Sequence, residues 1–556
     1  MSLVPGSDEV LFVPLGGTGE IGMNLNVYGH DGKWLIVDCG VTFGDPSIPG
    51  VDVMMADPTF ITDRRKDLVG IFITHAHEDH VGAVAHLWPR LKCPVYVTSF
   101  TAKILKRKLE EAGIAGKVPV HEIPSSGQVQ LGPFDLSLVS VTHSIPEPNS
   151  LILRTKAGTI FHTGDWKLDP KPMVGEATDE AALIALGEEG VLAMVCDSTN
   201  AVVEGHSGSE FDVHESLMEL VGTFEQRAVF ACFASNVARV QTLSEVAHAH
   251  GRAVGLVGRS LWTMTEAARA SGYLQDLPPF LREEEAMQMP RDKVMLICTG
   301  SQGEARAALP RIARGDHQNV SLDKGDTVIF SSRIIPGNEL PIGRLQSQLT
   351  SMGVNVLTER DHFIHVSGHP AKDELRQMYA WIKPKIAVPV HGEAPHLDAH
   401  AEVAQACGVP HVPVIYNGDV LRLHADGAEI CGQVQTGRLA VDGTDLVRVD
   451  DPSLRERAHM LWNGSAVLTV VLDRNGKVVA EPQLSAPGLL GDNDDDYDLM
   501  DDVLDDVVDA LSKVKGKKRD DDDGMIDRLR RVVRKSFRTR RGKSPTTEVH
   551  LVRIEG

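Results

Sequence analysis

Ile71-Phe72-Ile73-Thr74-His75-Ala76-His77-Glu78-Asp79-His80 decides how this chain is read. Its first four residues are apolar or β-branched, the mark of a buried strand. Three histidines and an aspartate then follow within six positions. Imidazole and carboxylate are ligands that suit zinc or manganese. In a turn just past a strand end, His75 and His77 can converge on one ion while Asp79 and His80 reach a second. A solvated polar loop has no reason to order its residues His-x-His-x-Asp-His, so the stretch is read as a metal site.

Downstream, strand after strand runs into residues of the same chemistry. Residues 136–142 end at His143-Ser144, and a hairpin of 150–154 with 159–162 ends in Thr163-Gly164-Asp165. Residues 192–196 end in Asp197-Ser198-Thr199-Asn200. Two late segments, from Phe363 and from Ile386, read as apolar strands leading into His365-Val366-Ser367-Gly368-His369 and His391-Gly392-Glu393. Upstream, a strand over 9–15 precedes Gly16-Gly17-Thr18-Gly19-Glu20-Ile21-Gly22. Gly17, Gly19 and Gly22 match Gly-x-Gly-x-x-Gly, but a dinucleotide site needs a helix next. Residues 24–28 and 34–38 read instead as a β-hairpin, so the glycines are taken as a tight turn near the metal loop. A helix over 101–112 carries Lys103, Lys106, Arg107 and Lys108, read as a solvated face in preference to an RNA contact.

At 556 residues the chain should form about three domains. It is 42% hydrophobic and 24% charged, with mean hydropathy −0.11, ordinary for a soluble protein. No run of 18 apolar residues and no basic-then-apolar leader occurs, so a cytoplasmic protein with no membrane span is expected. Seven scattered cysteines, never in Cys-x-x-Cys, suggest reduced thiols and no thiolate zinc site. The net charge of −21 does not exclude nucleic acid, because a local basic groove or bound metal ions override the sum near a site.

From about residue 211 the pattern becomes regular strand–helix alternation, which implies a parallel α/β domain with helices on both faces. Its strand ends, Ala234-Ser235-Asn236 and Thr299-Gly300-Ser301-Gln302-Gly303, are polar and would form the lips of a cleft. Patterning weakens around 440–465. A last module then offers Asn475-Gly476 between two short strands, a hairpin signal. Next come an Asp-rich helix with Leu499, Val503, Val507, Leu511 and Val514 at helical spacing, a charged linker over 515–523, an Arg-rich segment over 527–543 and a final strand over 548–554.

His-x-His-x-Asp-His followed by a spaced His, an Asp and a far His resembles the metallo-β-lactamase superfamily. The gap from Asp165 to His391, more than two hundred residues, resembles the β-CASP nucleases, which carry an inserted α/β domain. The motifs around Asp197, His369 and His391 look specifically like the bacterial ribonuclease J family, over roughly residues 9–450. The resemblance implies an αββα sandwich (1–210 and 373–450) interrupted by a β-CASP domain (211–372), a linker (451–465) and a small α+β C-terminal domain (466–556). It implies one metal on His75, His77 and His143, another on Asp79, His80 and His391, and Asp165 bridging both. Two divalent ions, zinc or manganese, would activate water for in-line phosphoryl displacement. His369, oriented by Asp197, is the expected acid for the leaving ribose oxygen. A 5′-monophosphate is expected at Phe233-Ala234-Ser235-Asn236 and His365-Val366-Ser367-Gly368-His369. The family can also carry a structural calcium, for which Asp52 and Asp442 are candidates, though acids in loops are too common to single them out. The implied activity is 5′-to-3′ exoribonuclease with endonuclease capacity on single-stranded RNA. Dimers or tetramers through the C-terminal domain and a place in an RNA-decay complex go with it. Rival readings are a DNA-directed or site-specific RNA-processing β-CASP nuclease, a small-substrate hydrolase and a metal-bound RNA scaffold.

Overall fold

Residues Val10–Gly16, Leu25–His30 and Lys33–Val37 are almost entirely buried, and their unbroken apolar runs suit strands covered on both faces. They lie in the middle of an eight-stranded sheet that the computed structural model orders as Gly427–Gln433, Asp419–His424, Val10–Gly16, Leu25–His30, Lys33–Val37, Leu68–Phe72, Val95–Val97 and Val120–Glu122. The described residues are 3–44, 47–335, 337–491, 494–514 and 521–554. A six-stranded sheet runs Ile386–Val390, Ala193–Asp197, Gly158–His162, Asn149–Thr155, Phe134–Ser140 and Gln128–Leu131. The two sheets share one core, in which Phe12, Leu35 and Phe72 meet Leu136, Leu151 and Val388. On the other side of the six-stranded sheet, Leu183, Leu375, Tyr379 and Val403 from three helices cover Phe161, Met194 and Ala387.

Strand direction decides where ligands land. Gly158–His162, Ala193–Asp197 and Ile386–Val390 are mutually parallel, and Phe134–Ser140 runs the same way because Asn149–Thr155 is antiparallel to both of its neighbours. Their C-terminal ends therefore deliver His143, Asp165, Asp197 and His391 to one edge. The hydrogen bond from the Asn149 amide to the Thr74 carbonyl (3.3 Å) ties that edge to the loop after Leu68–Phe72.

The inserted region is a five-stranded, all-parallel sheet ordered Ala253–Val257, Val294–Cys298, Ala228–Ala231, Thr327–Phe330 and Asn355–Leu357. Alternate residues serve opposite faces. Phe230 and Ile297 pack under the helices Glu210–Val221 and Val237–Ala249, while Val229 and Leu296 pack under Ala308–Arg314 and Glu339–Ser351. One expected strand is missing. Residues 363–368 are irregular, because the Ile364 carbonyl bonds to the Arg239 guanidinium (2.8 Å) and the Ser331 hydroxyl (2.8 Å) and not to a strand ladder.

The chain forms two units: residues up to 42 with 55–437, and residues 43–54 with those from 438 onward. In the second, Val51 and Met54 pack with Ala440 and Leu454. The stretch expected to be a linker is the helix Pro452–Asn463, capped by Asp451. The expected Asn475-Gly476 hairpin forms but is short. Its one bridge, Leu472 to Val478, is flanked by the Asp473 amide on the Lys477 carbonyl (2.8 Å) and the Val479 amide on the Val471 carbonyl (3.0 Å), with the Asp473 carboxylate taking the Asn475 and Lys477 amides in the turn. The strand Ser465–Leu472 also pairs with Gln483–Ser485 and, in parallel, with Thr546–Arg553. The apolar stripe of the Asp-rich segment is interior: Val503, Val507, Leu511 and Val514 pack against Leu529, Val533 and Phe537 of the Arg-rich helix Asp522–Arg541. It is therefore not available to cover a second copy. The acidic and basic helices also pair by charge, with Arg540 on Asp502 (3.1 Å) and Asp506 (2.7 Å). Most of the expected linker, 515–520, lies outside the described residues.

Candidate metal centre

All seven expected ligands converge. His75, His77, His143 and Asp165 form one group of ligand atoms lying within 4.8 Å of one another, and Asp79, His80, Asp165 and His391 form another. His77 Nδ1 is 3.0 Å from both His75 Nε2 and His143 Nε2. Asp165 Oδ2 faces His80 Nε2 (3.1 Å), His75 Nε2 (3.8 Å) and His143 Nε2 (3.9 Å), while its Oδ1 faces His391 Nδ1 (2.9 Å). One carboxylate thus serves both groups.

Hydrogen bonds behind the imidazoles set their tautomers. His80 Nδ1–H donates to Asp38 Oδ2 (2.8 Å), and His143 Nδ1–H donates to the Gly368 carbonyl (2.6 Å). The Thr74 hydroxyl donates to Asp38, which leaves its oxygen to accept from His75 Nδ1–H (3.0 Å). In each ring Nε2 is left to face the cluster, the arrangement a metal-bound histidine needs. His77 Nδ1 thus meets two acceptor nitrogens with at most one proton to donate, so a cation between the rings would satisfy what one proton cannot. His391 Nε2 is buried without a well-aligned hydrogen-bond partner, 3.3 Å from Asp79 Oδ2. This donor set fits a divalent ion in each group.

The charge balance agrees. Burial, reinforced by neighbouring imidazoles, holds His75 and His143 well below the ordinary histidine range, and burial brings His77 to about 4. Neutral rings are what metal binding requires. Burial acts to raise Asp79 and Asp165, but His80 beside the first and His391 beside the second hold both below the usual carboxylate range. Burial acts to lower His80 and His391, and Asp165 reverses that for both, raising them well above normal. The buried carboxylates therefore demand positive charge, from imidazolium protons or from metal ions that displace them.

Asp197 and His369 form a third group with Asp165 and His391. His369 Nδ1–H donates to Asp197 Oδ2 at 2.8 Å, so that nitrogen is occupied. Asp197 Oδ1 accepts from the Thr199 amide (2.9 Å) and hydroxyl (2.7 Å). Burial acts to lower His369, but Asp197 raises it. Asp197 thus holds the His369 ring in place through Nδ1.

The expected phosphate pocket is only partly free. Asn236 is the N-cap of Val237–Ala249, its Oδ1 accepting from the Arg239 amide (2.8 Å). Val366 is core. Ser367 Oγ accepts from Asn200 Nδ2 (2.7 Å) and the His369 amide (3.2 Å), which leaves its own proton to donate. Phe233, Ala234 and Ser235 are half-buried, as is His365, which is held neutral by burial and by Arg239. Asp442 is no free calcium ligand, because Arg457 takes both its oxygens (2.8 and 2.6 Å). Among the described residues no metal-ligating group includes Asp52 or Asp442.

Sequence reading missed Asp38 and Thr74. Asp38 is fully buried with φ at 66°, an unusual conformation for a residue other than glycine. Its only signal is an acid ending an apolar strand. Two glycines also shape the site by close approach. A Cβ at Gly40 would fall 1.7 Å from the Asp79 carbonyl oxygen, and one at Gly368 would fall 2.6 Å from the His143 ring. The Gly16–Gly22 turn leads into a strand and not a helix, and its Gly17 carbonyl accepts from the His391 amide (2.7 Å).

Comparison with known proteins agrees with this geometry. Family models match in order: a beta-lactamase superfamily domain (33–193), the ribonuclease J beta-CASP domain (225–349), a Zn-dependent metallo-hydrolase RNA specificity domain (353–414) and the ribonuclease J C-terminal domain (452–554). Ribonuclease J of Sinorhizobium meliloti is 44% identical over 98% of both chains. Ribonuclease J of Mycolicibacterium smegmatis is 42% identical over 85% of this chain and 84% of its own. Ribonuclease J 1 of Streptococcus pyogenes is 35% identical over 88% of each. A crystal structure of a protein of unknown function from Enterococcus faecalis V583 shares the fold, with TM-score 0.53 and 15% identity over 75% of this chain and 99% of that one. With its metallo-β-lactamase sandwich, inserted β-CASP domain and C-terminal domain, this chain belongs to the ribonuclease J family.

Proposed function

We propose that this metal-dependent nuclease hydrolyses single-stranded RNA from the 5′ end and can also cut internally. The observation that carries this reading is Asp165, shared between two ligand groups with the His369–Asp197 pair beside them. We assign His75, His77, His143, Asp165, Asp79, His80 and His391 to two ions, zinc or manganese. Bound there, the ions would supply Lewis acidity and an activated water for phosphodiester hydrolysis. Asp197 holds His369 by Nδ1, so that Nε2 carries the proton to the departing ribose oxygen. Loop 197–200 fixes that acid from two sides, since Asn200 Nδ2 also donates to the His369 carbonyl (3.1 Å).

End recognition is assigned to Ser235 and to Ser367 and Gly368, with the N-terminus of Val237–Ala249 favouring negative charge. The domain division is proposed as 1–210 and 373–450 for the sandwich and 211–372 for the insertion. The seven cysteines are all free, which supports a reducing, cytoplasmic setting. No helix among the described residues is long and apolar enough to cross a membrane.

The test is product analysis of matched RNAs with 5′-monophosphate and 5′-triphosphate ends. Processive release of short products from the monophosphate RNA, with mainly internal cuts in the triphosphate RNA, is expected. Enlarging Ser235 or Ser367 should reduce exonuclease activity and spare internal cleavage. Equal loss of both modes would show that these loops line a general RNA track.

A further inference from the structure

The second unit contains a cavity of about 270 Å³ lined by Arg455, Glu456, His459, Arg534, Ser544 and Thr546. None of these residues takes part in the chemistry above. The helix Pro452–Asn463 places Arg455, His459 and Trp462 at i, i+4 and i+7, one face of a helix. Arg534 comes from the helix Asp522–Arg541, and Ser544 and Thr546 from the segment entering the last strand.

The arginines here differ from others in the same unit. Arg457 is held by Asp442, Arg540 by Asp502 and Asp506, Arg541 by Asp496 and Arg553 by Asp522. The Arg455 side chain has no hydrogen bond or ion pair among the described residues, and its amide bonds to the Asp451 carbonyl (3.2 Å). Arg534 uses only Nε, donating to the Pro545 carbonyl (3.2 Å). Two guanidiniums around one cavity are thus left without a carboxylate partner among the described residues. Glu456 also lines the cavity. Asp450, held low first by Arg448, and Asp451, held low first by Ser453, also feel the charge of Arg455 without bonding it. His459 Nδ1 and the Thr546 hydroxyl are bonded to each other (3.0 Å). At the end of the same helix, Trp462 is 71% exposed and Leu461 62% exposed, and the Lys543 ammonium donates to the Trp462 carbonyl.

Unpaired guanidiniums and hydroxyls around a cavity recognise a phosphate, and an exposed indole beside them offers a face on which a base stacks. A second protein copy would prefer an apolar centre depleted of charge, whereas the residues lining this cavity are all charged or polar. We propose that this groove binds the backbone of single-stranded RNA, with Trp462 stacking on a base, as an RNA contact outside the metal centre. The inference rests on the ribonuclease reading.

The test uses the full chain, with labelled single-stranded RNA, a chelator to prevent cleavage, and fluorescence anisotropy across a salt series. R455Q/R534Q should raise the Kd about tenfold, and should flatten the slope of log affinity against log salt by about 1.4, from two phosphate contacts at ~0.7 each. W462A should raise the Kd about fivefold or more at any salt, as loss of one stacked base does. Unchanged melting temperatures and sedimentation would assign these losses to the groove. Wild-type affinity and slope in both R455Q/R534Q and W462A overturn the proposal. So does a change in sedimentation with RNA affinity retained, which would place a second copy of the chain on this face. Wild-type protein that cleaves no RNA would refute the ribonuclease reading itself, whereas active wild type beside normally binding variants refutes the groove alone.

Discussion

Replacing Asp38 by Asn should weaken metal binding without removing a single ligand. Asp38 is fully buried and accepts from His80 Nδ1–H (2.8 Å), the Thr74 amide (2.8 Å) and the Thr74 hydroxyl (3.0 Å). Through Thr74 it also reaches His75. Asparagine keeps the size and one acceptor oxygen but loses the charge, and its amide turns a donor toward groups that are themselves donors. His80 then becomes a less basic and less firmly aimed ligand. Loss of such a supporting partner costs ~10–100-fold in metal affinity, which is about 1.4–2.7 kcal/mol. The effect should be largest for the ion on Asp79, His80 and His391, because His80 contacts Asp38 directly. Competition against a chromophoric chelator, titrated to resolve both ions, reads it. RNA cleavage should return toward the wild-type rate as metal concentration rises, because the reacting groups are intact. Wild-type affinity for both ions would refute the role given to Asp38. Lost cleavage that excess metal does not rescue would show that Asp38 acts beyond ligand support.

Three further outcomes are expected. Asp165→Ala removes the carboxylate that faces both groups, so cleavage should vanish and metal per chain should fall by at least one ion; full metal content with full activity would refute the shared-ligand arrangement. His369→Ala should keep both ions yet slow cleavage by ~10²–10⁴-fold, the usual worth of a positioned acid, and a fall in metal content would make His369 a ligand instead. Arg239→Met leaves Glu210 buried without its partner, since Arg239 Nη2 lies 3.0 Å from Glu210 Oε2 and both side chains are inaccessible. Its cost should be ~3–5 kcal/mol, read as a fall in the melting transition of the inserted region, and an unchanged transition would show the pair to be dispensable.

Several elements were legible because their signal is local. The ligands of His75 to His80 lie within one turn, and the strand–helix alternation after residue 211 repeats at short range. The expected strand at 363–365 failed because Arg239 and Ser331, distant in sequence, take the Ile364 carbonyl. The stripe is helical from Leu499 to Leu511, with Val514 just past the helix end, but helical spacing says only that one face is apolar and not what covers it. Its cover is the Arg-rich helix next in the chain, which carries Leu529, Val533 and Phe537 among its charges.

By itself the sequence marked His75, His77, Asp79 and His80 as candidate ligands, and the family resemblance added His143, Asp165 and His391 to the proposed set. The sequence also determined that a domain-sized insertion separates Asp165 from His391. Only the tertiary structure decided which nitrogen of each imidazole faces the cluster, that Asp38 and Thr74 stand behind them, and that Asn236 caps a helix. It also decided which arginines remain without a carboxylate. The reason is physical: tautomer, cap and ion pair each depend on a partner atom within about 3 Å, and in this chain those partners come from strand ends and helices that sequence order keeps far apart.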